Sequence, residues 1–517
     1  GFYVNTEKYE NIGYNEKIPL LSLLKNYSEM DISCFDVPGH VRSQGVSILN
    51  DYLGNEIMNM DINSSPLMDN VSNPNGIIKK AQELLAKSYN AHKSFFITNG
   101  TTQAIHVMIL SMLSPGDKIL LPRNVHKSVI NGLIMSGATP IFMQPEFDYD
   151  LGVSLNISFE SVYKAISDNR DIKCLFLLNP TYYGACSQLE KIIKLCKDNN
   201  IKVLVDEAHG AHFKFHKELP PSSIELGADM AAISIHKTGG ALTQASALLI
   251  NNTVDDKKVL QTINMLQSTS ASYLLMSSID GARYNLDING ERQLSNALNL
   301  ARYARNKLNR IDGIKVYSPQ DLKSKGVEFV DETKLCINVK GLNLTGFEVY
   351  DMLYKNFSVQ AELGDLYNVL ALISIGTTKK DVDRLIKSIE IIEKESLKEI
   401  SFGDFEGLTF DEIKDKYPKE FQDMIEKGYE YKYPNGESLI DSYNRVCIEL
   451  DNIISNNDDR TILICSHGGT IRNIITYLIS NSYKYHWNFK IDNGSVTILE
   501  AQDGFTVITA MNNTSFI

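Results

Sequence analysis

Lys237 follows an apolar run, Met230–Ile233, within the stretch AAISIHKTGGALTQASA at 231–247. The run predicts a buried strand, so Ser234, His236 and Lys237 emerge where the strand ends and a crevice can open. A desolvated amine at such a place can condense with an aldehyde, the chemistry of a lysine that holds pyridoxal phosphate. Taken alone, the same lysine reads more readily as a surface residue after a strand. Asp206 closes another β-branched run, in VLVDEAHGAH, about thirty residues earlier, a usual separation for successive strands of an α/β sheet. An aspartate there can pair with the cofactor's pyridine nitrogen and keep it protonated, although a lone aspartate is also a common cap or turn residue. In FFITNGTTQAIHVMI a strand runs into a Gly-Thr-Thr turn and a helix. Hydroxyls and N–H groups at a helix start bind phosphate, which makes Thr101 and Thr102 candidates, and Thr is also an ordinary N-cap. LLPRNVHKSV puts His126 in the loop after a further strand.

The elements that must position these residues alternate from Ser94 to about Ile250. Short runs such as KILLP, TPIFMQ, IKCLFLLN and IKVLVD are separated by helix-like stretches such as SFESVYKAISDN and LEKIIKLCKDNN. That alternation predicts an α/β fold, a mainly parallel sheet with helices on both faces. Ligands of such sheets bind at the carboxyl ends of the strands, where the candidate residues fall.

Order, spacing and wording together resemble the pyridoxal-phosphate-dependent ornithine/lysine/arginine decarboxylases, of the aspartate-aminotransferase fold. The pieces are DVPGH (36–40), NGTTQA (99–104), RNVHKS (123–128), LLNPTYYG (177–184), VDEAHGAHF (205–213), SIHKT (234–238), LTQAS (242–246) and SYLLMSSIDGAR (272–283), within residues 18–395. The resemblance implies a type I fold for pyridoxal-phosphate-dependent enzymes. It implies that Lys237 holds the cofactor, Asp206 faces its ring nitrogen and His126 stacks on the ring. Thr101, Thr102, Ser234 and His236 would hold the phosphate, Ala208 would line the cofactor, and His40 could face the site. It further implies a homodimer or larger homo-oligomer in which Ser268, Thr269 and Ser270 of one subunit reach the phosphate of the other. The sequence departs from the family pattern at Ala271, where Pro is usual, and at Leu249, where His is usual. Gly239-Gly240 is also unusually bare after the lysine.

The bulk composition fits that reading. The 517 residues are 43% hydrophobic and 22% charged, an ordinary globular composition with room for about three domains. A net charge of −12 argues against a nucleic-acid or anionic-membrane surface, which needs clustered Lys and Arg. Seven cysteines without CxxC or Cys/His ligand spacing predict reduced thiols and no metal site. No stretch resembles a signal peptide, and no apolar run approaches the roughly 18 residues of a membrane helix. The expectation is a cytoplasmic protein. Its divisions are expected at 1–92, an N-terminal arm with a helix over 77–92 and a loop over 63–75; 93–310, the cofactor domain, closed by a long helix over 272–310; 311–396, a small α/β domain; and 397–517.

The last division resembles a different family. LKEISFGDFEGLTFDEI, YPNGESL, TILICSHGGTIRNII and DNGSVTILE are similar to the histidine phosphatase (phosphoglycerate-mutase-like) superfamily. The resemblance places Glu399 where that family has its acid and His467, after a strand-like ILIC, where it has its second, phosphate-binding histidine. That family's nucleophile lies in an Arg-His-Gly motif, and this chain contains no Arg-His dipeptide. The segment is therefore expected to be a half domain with exposed sheet edges, joined near Ser396 and inactive as a phosphatase in cis. For the whole chain, decarboxylation of arginine, lysine or ornithine is the leading expectation. The alternatives are another pyridoxal-phosphate reaction, such as aminotransfer or lyase chemistry, and a degenerate protein that only binds a cofactor or partner.

Overall fold

The computed structural model describes residues 12–323, 327–342, 344–391, 397–455, 461–502 and 504–515. Ser396, where the sequence suggests a join, lies outside them. The chain divides into two compact units, with the break after Glu390.

In the first unit, helices α1 (Pro19–Ser28) and α2 (Ile77–Ser88) precede the main sheet. The sheet is then built from β1 (Lys93–Ile97), helix α3 (Gly100–Met112), β2 (Lys118–Pro122), α4 (Lys127–Ser136), β3 (Thr139–Met143), α5 (Phe159–Asp168), β4 (Ile172–Leu178), α6 (Leu189–Asp198), β5 (Lys202–Asp206), β6 (Met230–Ile233) and β7 (Ser246–Ile250). The strand order is β1-β7-β6-β5-β4-β2-β3. Only β7 runs against its neighbours β1 and β6, while β6, β5, β4, β2 and β3 are parallel. Parallel strands need long crossovers, and the intervening helices cover both faces. One face packs Ile97, Leu121, Phe176 and Leu204 against Met108, Ile109 and Val129 of α3 and α4. The other packs Leu175, Leu177 and Val203 against Val162, Ile192 and Ile193 of α5 and α6. A strand buried on both faces must be apolar throughout, which is why the β5 and β6 runs show no alternation.

α7 (Asp256–Leu266) and the long α8 (Tyr273–Leu308) lead to a smaller domain. Its sheet consists of β8 (Lys315–Val316), β9 (Lys334–Asn338), β10 (Leu363–Gly364) and β11 (Asn368–Leu372), in the order β8-β9-β11-β10. All its pairs are antiparallel. Helices α9 (Gly346–Phe357) and α10 (Lys379–Glu390) accompany it. A two-residue ladder, Val330 with Ala185 and Phe329 with Cys186, joins this domain to the loop after β4.

The second unit has a core where Val446 and Leu450 of α11 (Leu439–Ser455) meet Ile474 of α12 (Gly468–Ser480). A hairpin follows, β12 (Val496–Gln502) with β13 (Phe505–Asn513). The ILIC run does not form the strand its composition suggests. Residues 461–467 form neither helix nor strand, and Leu463 is 87% exposed. A strand exists only through ladder partners, and among the described residues none pairs with this run.

Candidate functional site

The ends of β1, β7 and β6 bring three hydroxyls together. Ile97 lies opposite Ser246, and Ala247 opposite Ile233, so the residues after β1 and β6 converge on the start of β7. The Thr101 hydroxyl bonds Ser234 Oγ and reaches Ser246 Oγ at 3.1 Å. Thr101 is thus buried within the sheet end, whereas Thr102, the next residue of the same helical turn, is exposed. Gly100 adopts φ +70°, with open space where a Cβ would stand. No side chain stands at Gly100, the start of α3, and its own N–H donates to the Gln244 carbonyl at 3.0 Å; the N–H groups that follow it in the first turn are of the kind that bind anions.

Asp206 ends β5 and is 3% exposed. Its Oδ1 accepts the Ala208 N–H at 3.1 Å. Burial pushes its carboxyl up to about 6, with that N–H and the Lys237 charge opposing. Lys237 lies in the short helical turn Ile235–Thr238 after β6. Its Nζ is 3.1 Å from His209 Nε2 and stands over the Tyr182 ring at 5.7 Å from the centroid. Burial holds the amine below the ordinary lysine range, against the pull of Asp206 and Glu362. Neither Asp206 nor Lys237 has an ion-pair partner among the described residues. Ala208 is buried beside them.

His126 caps α4, its Nδ1 accepting the Ser128 N–H at 3.2 Å and meeting the Ser128 hydroxyl at 2.8 Å. It is half-buried, and burial together with the Lys237 and Lys127 charges favours its neutral form. His236 Nδ1 is 3.1 Å from the Ala245 carbonyl, which turns the ring toward the loop before β7. Ser268, Thr269 and Ser270 are exposed on the loop between α7 and α8. Among the described residues, no side-chain hydrogen bond links that loop to Lys237, Asp206, Thr101 or Ser234. His40 Nε2 lies 3.0 Å from Asp61 Oδ2, a pairing within the arm. The two departures from the family pattern are core positions: Leu249 lies in β7 with no exposed surface, and Ala271 is 4% exposed.

Sequence reasoning passed over His209 and Tyr182, which meet the Lys237 amine by a hydrogen bond and by a ring face. The His209 and Tyr182 rings lie 4.4 Å apart. His209 follows Asp206 by three residues on the same strand-end loop, so its presence at the ligand end of the sheet was a readable signal. Tyr182 could not be paired with it from sequence, because it comes from the loop after β4.

The family description "Orn/Lys/Arg decarboxylase, major domain" matches residues 18–381. The first unit belongs to that family. The chain is 42% identical over 377 residues to an arginine decarboxylase of Halalkalibacterium halodurans, covering 72% of this chain and 77% of that protein. It is 40% identical over 393 residues to an arginine decarboxylase of Bacillus subtilis, covering 75% and 80%. The fold resembles that of the Francisella novicida lysine decarboxylase, with a TM-score of 0.65 at 22% identity, covering 78% of this chain and 63% of that one. The chain thus spans slightly less than two thirds of that solved enzyme. The histidine phosphatase superfamily (branch 1) matches residues 378–514. There the chain is 28% identical over 128 residues to phosphoserine phosphatase 1 of Hydrogenobacter thermophilus, covering 61% of that protein.

The family's cofactor is pyridoxal 5'-phosphate, and the residues present fit it. A half-buried amine and a buried carboxylate, each without an ion-pair partner among the described residues, act electrostatically on each other at the ends of adjacent strands. Desolvated charges left in that state are costly unless a ligand answers them. The phosphatase-like residues are placed differently. Glu399 accepts the N–H groups of Gly469 and Ile400, each at 3.0 Å, and so braces the start of α12. His467 precedes that helix and is exposed.

Proposed function

We propose that this chain releases CO2 from a basic amino acid, and that the amino acid is arginine. The observation that carries this reading is the pair of opposite charges, buried Asp206 and half-buried Lys237, at the carboxyl ends of adjacent parallel strands. The relatives at 40% and 42% identity are named arginine decarboxylases, which favours arginine over lysine and ornithine.

Pyridoxal phosphate, when bound, supplies an electron sink for the pair released as the α-carboxylate leaves. Lys237 anchors the group through its amine, which burial already disposes toward the neutral, nucleophilic form. Asp206 would keep the ring nitrogen protonated, and His126 would stack on the ring. The first turn of α3, with Thr101 and Thr102, would bind the phosphate together with Ser234 and His236, and Ala208 would line the cofactor. The Thr101 hydroxyl is engaged with Ser234 and Ser246, so its share of the phosphate falls to its backbone N–H. Glu362, on the loop before β10, acts electrostatically on both Lys237 and Tyr182. Its exposed carboxylate is suited to attract a guanidinium. Decarboxylation further requires the bond to the carboxylate to stand perpendicular to the ring, which is a matter of positioning.

The same reading includes a homodimer. Phe35, Ile48, Leu49, Tyr52, Leu53 and Ile57 are all exposed in the N-terminal arm, a cluster of apolar surface that a second copy would cover. In that dimer Ser268 and Thr269 of one subunit reach the phosphate of the other. Release of labelled CO2 from carboxyl-labelled arginine, lysine, ornithine and a neutral control tests the function. Release from arginine that vanishes in Lys237→Ala supports it; release from none of the four, with cofactor bound, overturns it.

A further inference from the structure

His209, which meets the Lys237 amine, and Tyr182, whose ring the amine stands over, sit on loops, and both loops are tied to one buried charge cluster in the small domain. Lys334, at the start of β9, donates from Nζ to the His209 carbonyl at 3.1 Å and to Asp331 Oδ2 at 2.6 Å. His212 Nε2 meets the same Oδ2 at 3.1 Å. The Thr333 hydroxyl and N–H donate to Asp331 Oδ1 at 2.6 and 3.0 Å. The Asp331 N–H donates to the Gly184 carbonyl at 2.8 Å, two residues beyond Tyr182. Asp331, Thr333, Lys334, His209 and His212 are each at most 4% exposed.

A buried ion pair is a poor device for stability. Its desolvation cost offsets its attraction, and well-packed apolar residues of similar volume serve as well or better. What it does supply is a fixed geometry between the segments it joins. Here those segments are the loop carrying His209 and the loop carrying Tyr182, the two walls of the amine. We infer that Lys334 and Asp331 are positioning residues for Lys237, clamping His209 and Tyr182 around its amine so that water is kept from it. The clamp spans the two domains of the first unit and acts on the lysine itself, before any substrate arrives. The inference rests on Lys237 being the cofactor lysine, and it is independent of which reaction follows.

The charged and titratable groups acting on that amine are Asp206, Glu362, Lys334, His209, Tyr182, His126 and His236. Asp206 and Glu362 raise its affinity for a proton, and Lys334 lowers it. Loss of the clamp admits water, and loss of the Lys334 charge removes a repulsion. Both changes move Lys237 toward the titration of an exposed lysine.

The test reads Lys237 directly in the full-length, cofactor-free chain. Acetic anhydride labelling across pH 6–11, quantified by mass spectrometry against the exposed Lys127, gives the midpoint of Lys237. In Lys334→Met the midpoint is expected to rise by about one pH unit or more. Lys334→Met leaves Asp331 partly unpaired, so the double variant Lys334→Met with Asp331→Leu removes the pair together and keeps the interior neutral. It is expected to fold, at a lowered thermal midpoint because Thr333 and His212 lose their acceptor, and to show the same rise. Uptake of pyridoxal phosphate at pH 7, followed by visible absorbance, should slow in both variants and recover toward the native rate at pH 10. An unmoved Lys237 midpoint in the folded double variant overturns the inference, as does uptake slowed equally at every pH. Absence of CO2 release in the native chain, with these shifts present, would count against the decarboxylase reading alone.

Discussion

Lys237 and His209 meet at 3.1 Å between Nζ and Nε2, a lysine amine against an imidazole held neutral. Burial and the Lys334 and Lys237 charges push the His209 proton affinity well below that of a free imidazole. The ring can therefore orient the amine without adding a second positive charge beside it. Lys237→Ala is expected to leave the fold intact, to retain no cofactor through gel filtration and to reduce CO2 release to background. Retention of the visible absorbance band by that variant would place the anchoring lysine elsewhere.

The pH dependence of cofactor binding follows from Asp206. In the cofactor-free protein its carboxyl is held up to about 6, against about 3.9 in an unfolded chain. Between those values the unfolded chain is ionised and the folded one is not. The contribution of Asp206 to stability therefore falls as pH rises from about 4 to about 6 and is constant above. Cofactor binding needs the ionised carboxylate to face a protonated ring, so affinity should strengthen as pH rises through about 6. Asp206→Asn should flatten that dependence and lower CO2 release by about 100-fold or more. Absorbance titrations between pH 5 and 8 measure the first effect; an affinity independent of pH in the native chain would remove Asp206 from the role.

Gly184 carries φ +90°, and a Cβ there would stand 2.9 Å from the Asp331 carbonyl oxygen. Both the left-handed backbone and the close approach exclude a side chain. Gly184→Ala is expected to destabilise the first unit by about 1–3 kcal/mol, read from the urea midpoint. An unchanged midpoint would mean that the loop after β4 is free to shift away from the small domain.

Deletion of residues 397–517 should leave cofactor binding intact. The first unit closes its own cores on both sheet faces, and none of the residues assigned to the cofactor lies beyond the break after Glu390. Equal cofactor content per chain in the truncated and full-length proteins is the expected result; loss of cofactor would join the two units functionally.

The second unit should release no phosphate from p-nitrophenyl phosphate above background, and His467→Ala should change nothing. His467 and Glu399 are present, but the chain has no Arg-His dipeptide to supply that superfamily's nucleophile. Phosphate release that His467→Ala abolishes would reverse this.

The sequence by itself determined the parallel sheet, the strand ends and the residues standing on them. Runs such as those of β5 and β6 are apolar without alternation because both faces are covered, and their ends mark where Asp206 and Lys237 must emerge. The long helix expected over 272–310 is α8, and the helix expected over 77–92 is α2, which ends at Ser88. These are local signals, set by periodicity and by the residue types that stop an element. Only the tertiary structure decided what surrounds the lysine. Tyr182 and His209 come from different strand-end loops, and Lys334 lies 125 residues beyond His209, with Asp331 beside it. Their meeting depends on how the small domain closes on the large one, which no local pattern encodes. The same reason explains the failure at 461–467. ILIC has the composition of a buried strand, yet a strand is a property of a pair, and among the described residues its partner is missing.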